Sequence, residues 1–162
     1  MTSRATIPPL LLLLLLFMCA AVAQVPTAYE ILQKYDLPVG LLPTNVTVYT
    51  LNRETGEFHV NLGKKCTFKN DGYEVKYKPM ISGVIRKGKV TKLKGVSVKV
   101  MLFWVQIVAA IRDEDEVDFW VGMLKAGIDI EAFEESPQCG CGFNCVASEV
   151  KGKVSKILDW SM

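Results

Sequence analysis

Apolar residues recur along this chain with two different spacings, and the change between them divides it. Near the start, Ala28, Ile31, Leu32 and Tyr35 fall at i, i+3, i+4 and i+7, the stripe of a short amphipathic helix. Thr27 with Glu30 three residues on is a capping-box pattern. Leu37-Pro38 ends the helix, because the residue before a proline is pushed out of the helical region. From Asn45 the period becomes two. Val46, Val48 and Thr50 alternate with Thr47, Tyr49 and Leu51. After a turn at Arg53-Glu54-Thr55-Gly56, Phe58, Val60 and Leu62 oppose Glu57, His59 and Asn61. Asn70-Asp71-Gly72 is a strong turn signal, and Tyr73, Val75 and Tyr77 then oppose Glu74, Lys76 and Lys78. Further strand-like runs follow at 81–85, 89–93, 96–101, 103–111 and 117–123. Short alternating strands with turns between them predict a mainly β fold, an antiparallel β-barrel or roll preceded by one short helix.

Two segments depart from simple alternation. Val96, Val98 and Val100 alternate with Ser97 and Lys99, but from 101 to 105 both faces are apolar, and the run continues to Ile111. Such a strand is covered on both sides, or covers one side and lines a cavity with the other. A central core strand is the first expectation. In the second, residues of one parity, Met101, Phe103, Val105 and Ile107, face a ligand. At the C-terminus, Val146, Val150, Val154, Ile157 and Leu158 recur at helical spacing among Lys151, Lys153 and Lys156, with Trp160 near the end. This predicts an amphipathic helical tail over 146–162. It is expected to pack on its own domain, with peripheral contact to a membrane surface as the alternative.

The first 23 residues change what the remainder must do. Arg4, an apolar block over 10–17 and Ala21-Val22-Ala23 form the three parts of a secretory signal peptide, with cleavage after Ala23. A retained signal anchor is the alternative, but the block is shorter than a membrane-spanning helix requires. Removing 23 of 162 residues leaves 139, the size of one domain with a real core, read as 24–145 plus the tail. The loss of Arg4 lowers the net charge from +2 to +1, which argues against a protein built to grip nucleic acid. A monomer secreted to the extracellular space is expected, with the endoplasmic reticulum or vacuole as the alternative. Cys19 leaves with the signal, and Cys66, Cys139, Cys141 and Cys145 remain. An even count in an oxidising compartment reads as two disulfides. Every one of the three pairings ties Cys66 to the cluster at 139–145, and the one closing Cys139 onto Cys141 is the least favourable geometrically. A thiolate metal site at C-x-C-x3-C, with His59 as a fourth ligand, is the weaker reading, so no metal or other cofactor is expected.

Catalytic motifs are missing from the sequence. Its single histidine, His59, falls on the polar face of a strand. No nucleophile elbow, P-loop or dinucleotide fingerprint is present. The run Asp113-Glu114-Asp115-Glu116 lacks the glycine and terminal glutamate of an EF-hand and reads as a solvated hairpin turn. Arg86-Lys87-Gly88-Lys89 reads as a solvated strand pair, with anionic headgroups or wall polysaccharide as the alternative partner. Asn45-Val46-Thr47 is a glycosylation sequon in a secreted context, which makes Asn45 a candidate glycan acceptor.

Two end motifs carry a family resemblance. Tyr29-Glu30-Ile31-Leu32, then Tyr35-x-Leu37-Pro38-x-Gly40-Leu41-Leu42-Pro43, opens the domain, and Phe133-Glu134-Glu135-Ser136-Pro137-x-Cys139-Gly140 closes it. With a β-rich middle between them, these resemble the plant secreted family known as domain of unknown function 538, over nearly all of 27–145. The resemblance implies a β-barrel or roll similar to the lipid-binding domain of bactericidal/permeability-increasing protein. It also implies a non-enzymatic role in binding a lipid or other apolar molecule, in stress or developmental settings. A chlorophyll-hydrolysing esterase and a purely structural protein are the alternatives. The family offers no agreed catalytic residues to carry over, and this sequence has no nucleophile–histidine motif to support hydrolysis.

Overall fold

A computed structural model describes residues 24–70, 73–143 and 145. The predicted signal segment 1–23, the second and third residues of the Asn70-Asp71-Gly72 turn, and the predicted helical tail after Cys145 lie outside the described residues.

The chain opens with helix α1 (Ala28–Lys34). Its cap forms as the sequence predicts: the Glu30 backbone N–H donates to Thr27 Oγ1 at 3.2 Å, and the Glu30 carboxylate accepts from the Thr27 N–H at 2.6 Å. Those hydrogen bonds hold the fully exposed Glu30 carboxyl below its ordinary pKa. A 3-10 turn, Val39–Leu41, follows.

Nine antiparallel strands then form one sheet among the described residues: β1 (Val48–Leu51), β2 (Glu57–Asn61), β3 (Cys66–Asn70), β4 (Tyr73–Arg86), β5 (Lys89–Val100), β6 (Phe103–Gln106), β7 (Ala109–Asp113), β8 (Glu116–Val121) and β9 (Leu124–Asp129). The order is β1-β2-β4-β5-β7-β8-β9, with β3 pairing β4 and β6 pairing β5. This is an open sheet that curls around its core, so the architecture is a roll and not a closed barrel. The curl has an identifiable cause. The β4–β5 register shifts between Tyr77 and Val84, where Pro79 cannot donate to the ladder. Facing that irregularity, Gly95 takes φ +92, and a β-carbon there would lie 2.4 Å from the Met80 carbonyl oxygen. Only glycine lets the two strands approach and bend together.

The predicted strands at 81–85 and 89–93 are therefore the ends of two long strands, and β3 and β9 are additional to those expected. The apolar run 100–111 changes most. It is not a single strand: Met101 takes φ +54, the chain turns at 101–102, and β6 returns along β5 with Phe103 opposite Val100.

The core lies on one face of the sheet, under α1 and the first 3-10 turn. Leu32, Leu37, Leu42, Val60, Phe68, Tyr77, Ile81 and Val96 are among its buried members. A smaller cluster of Ala110, Val117 and Phe133 joins it through Leu41, Phe119 and Phe143.

The two end motifs meet across this core. Ser136 Oγ donates to the Val39 carbonyl at 3.1 Å, and the Thr44 N–H donates to the Pro137 carbonyl at 3.0 Å. Tyr29 Oη donates to the Pro43 carbonyl at 2.7 Å. Both disulfides are formed, Cys66–Cys139 and Cys141–Cys145, which is one of the three pairings the sequence allows. Two such bonds belong to an oxidising compartment. No helix among the described residues is long and apolar enough to cross a membrane.

Candidate functional site

The curled sheet does not close tightly on itself. Between it and α1 lies a cavity of about 510 Å3, to which side chains from all nine strands contribute. That volume falls within the roughly 300–1,000 Å3 of small-molecule sites. The alternation read from the sequence accounts for much of the lining. Phe58 and Val60 of β2, Tyr73, Val75 and Tyr77 of β4, and Val96, Val98 and Val100 of β5 all point inward. Ile31 and Leu32 of α1 close one side, and Phe119, Val121 and Ile128 close another.

Of the four residues expected to face a ligand, Val105 and Ile107 line this cavity. Met101 and Phe103 do not. Met101 lies in the β5–β6 turn and Phe103 begins β6 at the open end of the sheet, and both are exposed. The turn, with its positive φ at Met101, cuts Met101 off from the strand predicted to carry it, whereas Phe103 keeps the parity of Val105 but stands at the end of β6, beyond the lining. Val98 and Val100, across the hairpin, take the place of the missing pair.

The chemistry of the lining is uniform. Lys125, near the start of β9, is its single charged residue. Its Nζ lies 2.8 Å from Oδ2 of Asp118, a buried carboxylate, and that hydrogen bond and charge raise the Lys125 pKa. Tyr77 presents its ring to the cavity while its hydroxyl donates to the Leu41 carbonyl at 3.2 Å, and burial pushes its pKa up. Neither a histidine, a carboxylate, a serine nor a threonine lines the cavity among the described residues.

His59 sits on the other face of the sheet. It is exposed on β2, between Thr50 of β1 and Ser82 of β4 in register, with no hydrogen bond to Ser82. An esterase built on His59 requires a partnered histidine in a cleft, and this one is on an open surface without that partner.

The candidate disulfide and glycan residues have definite surroundings. Cys66, the first residue of β3, is fully buried, and Cys139 is half-buried. The Gly140 N–H donates to the Thr67 carbonyl at 2.8 Å, holding the cysteine cluster against β3. Asn45 is half-buried; its side-chain N–H donates to the Leu62 carbonyl at 3.2 Å, and its Oδ1 lies 3.3 Å from Cys139 Sγ.

Comparison with known proteins agrees with the family resemblance. The family model described as a protein of unknown function, DUF538, matches residues 28–134. The uncharacterized protein At5g01610 of Arabidopsis thaliana is 34% identical over 98 residues, which span 60% of this chain and 57% of that protein. The chain thus matches little more than half the length of this relative. On the family match, the protein belongs to DUF538, a family whose function is unknown.

Proposed function

We propose that the protein binds a lipid or another apolar small molecule in the cavity without converting it. One observation carries this reading: a space of about 510 Å3 lined almost wholly by aliphatic and aromatic side chains. Such a space attracts apolar molecules, because binding removes their surface from water at little polar cost. The same lining argues against the hydrolase alternative, since among the described residues it offers a bound ester no serine, threonine or histidine and no carboxylate. The setting proposed is the secretory pathway and the extracellular space of a plant, where two disulfides persist.

Native mass spectrometry of protein purified from its own tissue tests the reading directly. The expected result is a retained apolar molecule that dissociates intact and is present without its hydrolysis product. Val98→Trp, which places a large ring in the cavity, should abolish retention. In a hollow site this substitution is accommodated. In a filled core it overpacks and costs about 1–3 kcal/mol of stability. Wild-type protein carrying no ligand, together with a core-type stability loss for Val98→Trp, would leave a structural protein.

A further inference from the structure

The sheet register places three hairpin connections at one end of the molecule. Glu74 pairs with Lys99, so the start of β4 lies beside the end of β5. Because β7 runs antiparallel to β5, and β8 to β7, the β8–β9 turn points the same way as the β5–β6 turn. The three other hairpin turns, β1–β2, β4–β5 and β7–β8, lie at the opposite end.

The two ends differ in chemistry. The far turns contain Arg53 and Glu54, Lys87, and Glu114 and Asp115, as solvated turns ordinarily do. Two of the three near turns break that rule, while the third, Asn70-Asp71-Gly72 between β3 and β4, keeps it. Met101 and Leu102 are 89% and 84% exposed, Phe103 is 73% exposed, and on the β8–β9 tip Met123 and Leu124 are 95% and 74% exposed. Exposed apolar groups this large, gathered at one end of the sheet, mark an interaction surface. The cavity reaches the same end, for Tyr73, Val100 and Leu124 belong both to its lining and to the exposed surface.

Just below the tips, the surface changes character. Trp104, partly exposed, lies under Lys76, whose Nζ is 3.8 Å from the ring centroid, with Lys99 5.9 Å away. Lys69 is exposed on β3, and Lys125 borders the mouth. Two acids of this region are engaged: Glu74 with Lys99 at 3.3 Å, and Asp118 with Lys125 at 2.8 Å. Apolar tips, then tryptophan and tyrosine, then lysines, is the sequence of layers that an acyl region, an interface and anionic headgroups would meet in turn.

We propose that this end docks on an anionic lipid bilayer, inserting the 101–103 and 123–124 tips and bringing the cavity mouth to the membrane surface. The docking gains a purpose from the cavity reading, because it provides an apolar ligand with a route that avoids water, but it is measured separately. The test is flotation of the full chain with vesicles of phosphatidylcholine and phosphatidylserine, comparing wild type with the double variant Leu102→Asp/Met123→Asp. Both side chains lie in solvent, so thermal unfolding should not change. Vesicle affinity should fall roughly tenfold or more, since binding scales with the apolar area inserted. Wild-type binding should weaken when phosphatidylserine is omitted or the salt is raised.

Failure of the wild type to float, or equal flotation of the double variant, overturns the proposal. So does a wild-type dimer, seen by sedimentation, that the double variant converts to monomer without any vesicle binding. Protein that retains an apolar molecule but does not float rejects the docking and keeps the cavity reading. Floating protein that carries no ligand does the reverse.

Discussion

Gly40 approaches the closing motif so nearly that a β-carbon built on it would lie 2.6 Å from both the Phe133 Cα and its carbonyl oxygen, and 2.7 Å from the Glu135 carbonyl. Backbone cannot give way as a side-chain end does. Alanine here lowers the entropy of the unfolded chain, which is worth about 0.4–1 kcal/mol. Overpacking against fixed backbone costs about 1–3 kcal/mol and outweighs it. Gly40→Ala should therefore destabilise the protein, seen as a lower denaturation midpoint; a higher one would mean that the two motifs are not pressed together as described. Tyr77 supports a second prediction. Its folded-state pKa is raised by burial, so in alkali the unfolded chain ionises first. Stability contributed by the neutral phenol is complete below about pH 10 and drains away as the pH rises toward the folded value. The Tyr77 absorbance should stay silent until unfolding, and Tyr77→Phe should flatten the alkaline fall in midpoint even though it loses the bond to Leu41.

Among the elements, those whose pattern carries a period were legible and those that rely on context were not. The α1 cap, the inward face of β2, and the alternation of Tyr73, Val75 and Tyr77 could all be read directly, because each is a local consequence of side-chain spacing. β3 offers only Cys66 and Phe68 as inward residues, and the cysteine reads first as chemistry. β9 is a largely exposed edge strand containing Gly127, too weakly apolar to announce itself. The turn at 101–102 was hidden for another reason. Turn recognition relies on Gly, Asn, Asp and Pro, and Met-Leu supplies none of them. The same anomaly that concealed the hairpin sets its tip apart from the other end of the sheet. The candidate site was legible to that extent: Val105 and Ile107 belong to it, while Val98, which also lines it, was read only as one of the alternating residues of its strand. A prediction belongs to this level too. Met101→Asn, or Met101→Gly, suits the positive φ of 54° better than methionine does. Either should leave the denaturation midpoint equal or slightly higher, by at most about 1 kcal/mol; a large loss would mean that the tip is packed against something.

For the molecule as a whole, the Cys66–Cys139 bond joins positions 73 residues apart, and in the chain-entropy model such a loop contributes roughly 4 kcal/mol by restricting the unfolded state. Cys66→Ser with Cys139→Ser should lose stability on that order, measured by denaturant titration, whereas the pair only 4 residues apart, Cys141–Cys145, closes a far shorter loop and should cost less. The same connection fixes an order of events during synthesis. Positions 39, 40 and 44 take their contacts from 133–137, and Cys66 waits for Cys139. A chain made from its N-terminus can pair β1 to β5 early, but the face those strands will bury has no cover, and the opening motif has no counterpart, until the last part of the domain has emerged. The sheet is therefore completed only once 133–139 have been made, and until then it stands with its apolar side uncovered. Truncation anywhere before 139 should yield not a smaller stable domain but a chain that depends on chaperones for as long as it lasts.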